Sequence, residues 1–353
     1  MNTLKSNLKA IFQIAAVFIG TIVGAGLASG QEISQFFTLY GTKSFLGLII
    51  CTLLYIILGN IIIKLSRAFN LNSYKELISL ASIGILGDAI TVIVSFFMLS
   101  SAAIILAGSG ALLNQFFKIP KIIGIIIMIT CTLIVLFRNT AGIIEINSII
   151  VPILITVVSS IFILYLAFSN NTGSIHQVQF ITYKKNWLIS SVLYSGFNIL
   201  CCSGVLVPLS TEKEYNSFKN LILGVALGSI ALLIISSMIN FLLILNLPYT
   251  LKYEIPLLYI SSRFGKIIQL ILLITIWCEM LSTEISDIYS IAKSLENSFL
   301  KISYKKSIIL VIIIALPISQ IGFKNLISIL YPAFGVISVF FMIQCTYFYM
   351  KHK

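Results

Sequence analysis

The stretch Gly20-Thr-Ile-Val-Gly24-Ala-Gly26-Leu-Ala-Ser-Gly30-Gln-Glu32 places four glycines and a carboxylate inside an apolar run that extends from Ile11 to Tyr40. At ~1.5 Å per helical residue, about thirty residues exceed the roughly twenty needed to span bilayer hydrocarbon. Glycine is a poor helix former, and a cluster of glycines at membrane depth frees N–H and C=O groups that lipid cannot satisfy. Two structures answer such a stretch. One is a broken helix near Val23 to Gly26 whose unwound backbone faces protein or a water-filled cavity. The other is a continuous helix that uses Gly20/Gly24 and Gly26/Gly30 for close packing.

The rest of the chain is equally apolar. A hydrophobic fraction of 59%, a charged fraction of 10% and a mean hydropathy of +1.07 exclude a soluble domain, in which about a quarter of residues are charged. The 353 residues leave room for spans and short loops, so a single transmembrane domain, 1–353, is expected in the lipid bilayer of the cell's inner membrane. A formal charge of +12 would suggest nucleic acid in a soluble chain. Here the basic residues lie between apolar runs, where they orient spans, and no nucleic-acid motif accompanies them. The first apolar run is too long for a signal-peptide core and ends without a small-residue cleavage site. All six cysteines fall inside apolar runs, as small hydrophobes do, and the two histidines, His176 and His352, cannot build a metal centre. G-x-S-x-G, H-E-x-x-H and P-loop patterns are absent, so enzyme chemistry is not expected and no cofactor is implied.

Apolar runs follow at Phe45 to Ile63, Ala89 to Leu113, Ile122 to Phe137 and Ile149 to Phe168, the last with a bend at Pro152. The polar stretch Ser169 to Asn186 reads as a linker. From Trp187 the pattern restarts with a sixth span that carries Tyr194-Ser-Gly196-Phe-Asn198-Ile-Leu-Cys-Cys-Ser203-Gly204-Val-Leu-Val-Pro208, long and interrupted by small and polar residues. Leu221 to Leu245, Ile267 to Ile291, Ser307 to Ser319 and Leu326 to Met350 complete about ten spans. The expected fold class is therefore an all-α integral membrane protein with two repeats, about 11–168 and 187–350, and with helices one and six discontinuous. Five is odd, so the second repeat enters the membrane from the opposite side. Interrupted spans at matching positions of two inverted halves point to a binding site at the bilayer midplane. Of the Lys and Arg residues, fourteen fall on the side of the termini and nine on the other, which places both termini in the cytoplasm. The connection from Pro248 to Lys266 is then extracellular.

A break near Val23 to Gly26 would present amides on one side, suited to a carboxylate, and carbonyls on the other, suited to a cation. The expected solute site is Val23, Gly24, Ala25 and Gly26 of the first span with Tyr194, Phe197, Asn198 and Ser203 of the sixth. On the eighth span, Glu279, Ser282, Thr283, Ser286 and Ser290 fall within a stripe of about 100°. Hydroxyls three and four residues apart, with a carbonyl one turn earlier, can surround a small hard cation; hydrogen bonding between helices is the alternative. Carboxylates at membrane depth cost about 2.5–3.5 kcal/mol on an insertion scale and default to function. Glu32 and Glu279 are best placed for proton-linked roles, while Glu284 and Asp287 are read as approaching the cytoplasmic interface.

The run Ile19-Gly-Thr-Ile-Val-Gly-Ala-Gly-Leu-Ala-Ser-Gly-Gln-Glu-Ile33 closely resembles the first-span motif of the YkvI family of bacterial membrane proteins, within the amino acid, polyamine and organocation superfamily. Tyr194 to Pro208 is similar to that family's sixth span; Leu27 stands where the family has phenylalanine. More distantly, Gly20-x-x-Val23-Gly24-x-Gly26 is similar to the first span of neurotransmitter:sodium symporters. That resemblance implies a coupling-ion site in which the carbonyls of Gly20 and Val23 hold sodium together with Ser282, Thr283 and the Glu279 carbonyl. It also implies that amides near Gly24 to Gly26 take a substrate carboxylate. The lysine that replaces sodium on the fifth span of some proton-linked relatives is absent from Ile149 to Phe168, which favours sodium over proton. The expected function is a secondary active transporter of a small solute, an amino acid or related zwitterion, coupled to a cation by alternating access. A nutrient-receptor permease that binds without net transport, or an ion channel, is the alternative.

Overall fold

The computed structural model describes residues 2–82, 85–137, 143–168, 183–211, 217–296 and 302–352. Among these residues the regular structure is helical, with thirteen α-helices and short 3-10 turns. They are α1 (Asn2–Ser29), α2 (Gln31–Phe36), α3 (Lys43–Ala68), α4 (Tyr74–Ala81), α5 (Ile85–Phe117), α6 (Lys121–Phe137) and α7 (Ile143–Phe168) in the first half. The second half holds α8 (Trp187–Thr211), α9 (Phe218–Leu245), α10 (Pro256–Ser261), α11 (Lys266–Glu296), α12 (Tyr304–Ser319) and α13 (Phe323–Lys351). Eight are long and apolar enough to cross a bilayer, and α6 and α12, with 17 and 16 residues, are shorter apolar helices. Together these helices fall on the ten apolar runs of the sequence, and the all-helical membrane fold class is borne out. Most of the linker, residues 169–182, lies outside the described residues.

The distribution of polarity is that of a membrane protein. Ile57, Ile163, Ile234 and Ile343 are each more than half exposed on the outer faces, whereas Glu32, Asn198, Asn240, Glu279 and Glu284 are buried. Hydrocarbon solvates the first set at no cost, and the second must find partners inside. Asn240 of α9 finds two: it accepts from Thr38 Oγ1 at 3.0 Å and donates to Ser44 Oγ at 2.7 Å, so it pins the chain between α2 and α3.

The packing is related by an exchange of halves. α1 lies along α9 as α8 lies along α3; α5 pairs with α6 as α11 pairs with α12. α7 packs on α1 and α11 as α13 packs on α8 and α5. Small residues permit these approaches. Gly224 and Gly228 of α9 receive Ile14 and Phe18 of α1, and Gly335 of α13 faces the Leu193 carbonyl of α8. One pair departs from the exchange: α1 lies against α11, but its counterpart pair, α5 and α8, makes little backbone contact. Those two helices meet through Phe97 and Phe197, whose ring centroids are 5.2 Å apart.

The two interrupted spans behave differently. α1 is broken at Gly24 (φ 36°, ψ −175°) and ends at Gly30, after which α2 begins. The break expected in the sixth span is not there: α8 runs unbroken from Trp187 to Thr211. Its polar residues are satisfied along the helix itself. Ser195 donates to the Val192 carbonyl, Asn198 to the Tyr194 carbonyl at 3.0 Å and Ser203 to the Leu200 carbonyl at 2.6 Å. Side chains that bond back to the preceding turn leave the backbone ladder intact, so small and polar residues here do not require unwinding. The connection after α9 forms α10, buried along Pro256 to Leu258, with Leu257 set over Gly30 at the end of α1.

A Cβ at Gly335 would stand 2.9 Å from the Leu193 carbonyl oxygen. Gly335→Val is expected to lower stability by about 1–3 kcal/mol through overpacking. Gly204→Ala, whose Cβ meets nothing within 4 Å, should not lower it. Thermal unfolding of the detergent-solubilised protein compares the two.

Candidate functional site

Gly24 sets the site. Its φ of 36° and ψ of −175° lie outside the helical region, and the positive φ is one that side-chain-bearing residues avoid. A helix interrupted there releases carbonyls before the break and amides after it. A Cβ at Gly24 would meet nothing within 4 Å, because the break opens onto a cavity of about 270 Å³. Gly20, Gly24 and Ala25 of α1 form one wall; Phe197, Asn198 and Gly204 of α8 face it. Phe97 and Ser101 of α5, Thr283, Ser286 and Asp287 of α11, and Tyr331 of α13 close the sides. The cavity occupies the space between α5 and α8, where the exchange of halves fails. It runs on to Ser290 of α11 and Tyr74 of α4. A larger groove of about 560 Å³ between α5, α6 and α11 is lined by apolar side chains such as Phe117, Ile127 and Ile274, each at least 39% exposed, and is a lipid-facing surface.

Glu32 is the best-held group in the cavity wall. It sits in the first turn of α2, only 3% exposed, and its carboxyl folds back onto Gly26 so closely that a Cβ there would overlap it. Tyr194 donates its hydroxyl to Glu32 Oε2 at 2.8 Å, and Tyr331 lines the cavity beside the same carboxyl. The Tyr194 ring is itself fixed between Phe36 and Phe37, with centroids 5.1 Å from each. Neither phenol brings a positive charge to the carboxyl.

Of the residues expected at the solute site, Gly24, Ala25, Phe197 and Asn198 lie in the wall. Gly26 is covered by Glu32, Val23 is fully buried, Tyr194 reaches the cavity through Glu32, and the Ser203 hydroxyl is turned onto its own helix. Of the coupling-ion set, Gly20 and Thr283 line the cavity. Ser282 and Glu279 are buried behind them, with Thr283 Oγ1 donating to the Glu279 carbonyl at 3.0 Å. Carbonyls released before the break and the Thr283 hydroxyl are oxygen ligands of the kind that hard cations take. Among the described residues no group of three or more His, Cys, Asp and Glu could hold a metal ion.

Two further carboxyls of α11 lie within the bundle: Glu284 is 0% exposed, and Asp287 is part of the cavity wall, as is Ser101 of α5. Tyr331 and Ser101 were not singled out by sequence. Neither belongs to a motif, and only the packing of α13 and α5 brings them to the site. No basic side chain is among the cavity's lining residues, and Lys121–Glu254, at 3.0 Å, is the one salt bridge among the described residues.

With this geometry in view, comparisons with known proteins agree on the fold. A family model described as branched-chain amino acid transport protein matches residues 249–344. The uncharacterised membrane protein YkvI of Bacillus subtilis (strain 168) is 33% identical over 334 residues, covering 94% of this chain and 93% of its own. Mhp1 in an inward-facing conformation is similar in structure with a TM-score of 0.65 at 12% identity, over 94% of this chain and 75% of that one. MhsT in complex with L-phenylalanine also gives 0.65, at 16% identity, over 94% and 87% of the two chains.

The contact between Glu32 and Gly26 is testable as a pair. Gly26→Ala is expected to cost about 1–3 kcal/mol of stability by displacing the carboxyl. In the background of Glu32→Ala the same change should cost at least ~1 kcal/mol less. A double-mutant cycle of unfolding free energies measures the coupling; additive values would show that the two residues do not press on each other.

Proposed function

We propose a carrier function for this chain, which belongs to the family of the Bacillus subtilis membrane protein YkvI: it is a secondary active transporter of a small amino acid or related zwitterion, coupled to a cation. The observation that carries this reading is the cavity at the Gly24 break, polar on one side and apolar on the other. Its volume of about 270 Å³ is near the lower end of small-ligand pockets, roughly 300 Å³, which suits a solute of amino-acid size.

Each part of a zwitterion has a counterpart. The ammonium group meets the Glu32 carboxyl, held by Tyr194. The carboxylate meets amides released after Gly24. The side chain lies against Phe97, Phe197 and Leu200, apolar surfaces in keeping with the family model for branched-chain amino acid transport that covers α10 to α13. Sodium is the favoured coupling ion, held by the carbonyls of Gly20 and Val23 with Ser282, Thr283 and the Glu279 carbonyl. It would supply the positive charge that the base-free cavity lacks. Solute and cation that favour the same closed state raise each other's affinity by the same factor.

The repeats 11–168 and 187–350, oriented with both termini in the cytoplasm of the inner membrane, then give alternating access by movement of one set of helices against another. In that orientation α4 belongs to a cytoplasmic connection, and a cavity reaching Tyr74 opens inward, while α10 over Gly30 closes the outer side.

Leucine uptake into proteoliposomes under an inward sodium gradient tests the carrier. Uptake should saturate, stop when the gradient is dissipated, and show an apparent affinity that sodium raises about 5–150-fold. Ser282→Ala with Thr283→Ala should remove that dependence. Flux that never saturates would replace the carrier with a channel, and binding without accumulation would replace it with a receptor.

A further inference from the structure

The cavity at the Gly24 break is lined by two carboxyls, Glu32 of α2 and Asp287 of α11, and a zwitterion uses only one of them. Glu32 is 3% exposed and accepts from Tyr194. Asp287 has an oxygen, Oδ2, that is buried without a hydrogen-bond partner. No basic side chain is among the described residues that line the cavity. The described salt bridge, Lys121–Glu254, is made by residues outside its wall.

The helices fix where these groups stand. Glu32 folds onto Gly26, after the break, whereas Gly20 lines the cavity from before it. Asp287 follows Thr283 by four residues, so it lies one turn, about 6 Å, further along α11 on the same face. The cavity continues in that direction to Ser290. Asp287 therefore stands beyond the hydroxyl assigned to sodium, and Ser101 of α5, in the same wall, adds a neutral hydroxyl. Phe97, Phe197 and Leu200 supply apolar surface to the cavity that both carboxyls share.

Charge decides what fits. Sodium brings one positive charge and an amino acid with an uncharged side chain brings no net charge, which leaves one of the two carboxylates without a counter-charge. An unpaired carboxylate in an enclosed site is costly. A solute with one more cationic group balances the site. We propose that the solute is an amino acid whose side chain ends in an ammonium group, of the lysine and ornithine class, and that Asp287 is the residue that selects it. The α-ammonium meets Glu32 and the α-carboxylate meets the amides after Gly24. The methylenes run along Phe97, Phe197 and Leu200, and the side-chain ammonium donates to Asp287 Oδ2. Lysine suits this arrangement because its charge sits at the tip of a flexible four-carbon stem with three donors. An uncharged analogue fills the same space and leaves the carboxylate unpaired, the kind of loss on which polar sites discriminate most strongly. This names the solute of the proposed carrier and rests on that reading for the placing of the solute's backbone.

Equilibrium binding to the purified full-length protein, in sodium and in sodium-free buffer, tests the assignment with lysine and with norleucine, which has the same carbon chain and lacks the side-chain amine. Lysine is expected to bind at least about tenfold more tightly than norleucine. In Asp287→Asn, near-isosteric and uncharged, that ratio should fall to about one. Asp287→Glu keeps the charge and reaches one methylene further, so the preference for a cationic solute should persist and move from lysine toward the shorter ornithine. Glu32→Gln should weaken lysine and norleucine together. A ratio near one in the wild type, or a ratio that survives Asp287→Asn, overturns the proposal. So does loss of sodium dependence for both solutes in Asp287→Asn, which would make Asp287 a sodium ligand. If Asp287→Asn binds neither solute, Asp287→Glu decides: a shift toward ornithine supports the proposal and its absence overturns it. Uptake into wild-type proteoliposomes separates the carrier reading. Sodium-driven leucine uptake without a preference for lysine overturns the cationic solute alone; preferential lysine binding without accumulation under any gradient supports the cationic solute and removes the carrier.

Discussion

Unwound backbone cannot face hydrocarbon, and the rest of this structure depends on where that constraint is met. The break at Gly24 must look into the protein, so helices cannot close upon it. α5 and α8 stand apart on that side, bridged by Phe97 and Phe197, and the gap becomes the cavity. Glu32 then returns over Gly26, which fills the far side of the break with a carboxyl and prevents the chain from collapsing into a straight helix. The phenol of Tyr194 holds that carboxyl from α8, and Tyr331 of α13 lines the cavity beside it. A single backbone interruption thereby brings four helices to one point.

The exchange of halves gives this arrangement its economy. α1 on α9 and α8 on α3 are the same contact made twice, using small residues where backbones approach. An exact repetition would leave two equivalent breaks and two equivalent gaps. Here only α1 is broken, and α8 presents a straight wall with Gly204 and Asn198 turned to the cavity. The asymmetry puts the broken helix on one side of the cavity and the straight one on the other.

The break in α1 and the place of Glu32 beside it were legible in the sequence, because a glycine cluster beside a carboxylate within an apolar run leaves few alternatives. The apolar helices were legible because hydropathy reports the solvent directly. The supposed break in α8 was not real, since Ser195, Asn198 and Ser203 satisfy themselves along the helix, an outcome that composition does not distinguish from unwinding. Helical periodicity fixes angular position and not burial, so the enclosure of Glu284 and the place of Asp287 in the cavity wall come only from packing. Tyr331 and Ser101 come from α13 and α5, far away in sequence, and only packing assigns them to the site.

Among the described residues, the interior of this protein is acidic without being basic. Glu32, Glu279, Glu284 and Asp287 are all enclosed by the bundle, and no described lysine or arginine pairs with any of them. A structural ion pair would have fixed each carboxyl permanently and cheaply at one partner. Leaving them unpaired makes the positive charge exchangeable: it must arrive as a proton, a metal cation or an ammonium group, and its departure raises the free energy of the enclosed state. Because the carboxyls share a low-dielectric interior, relief at one site alters the cost at the next. On the proposed function, a cation taken up on one side of the membrane would change the affinity for the others by a reciprocal amount, and carboxyls without described internal bases would couple ions to solute without contact between their sites.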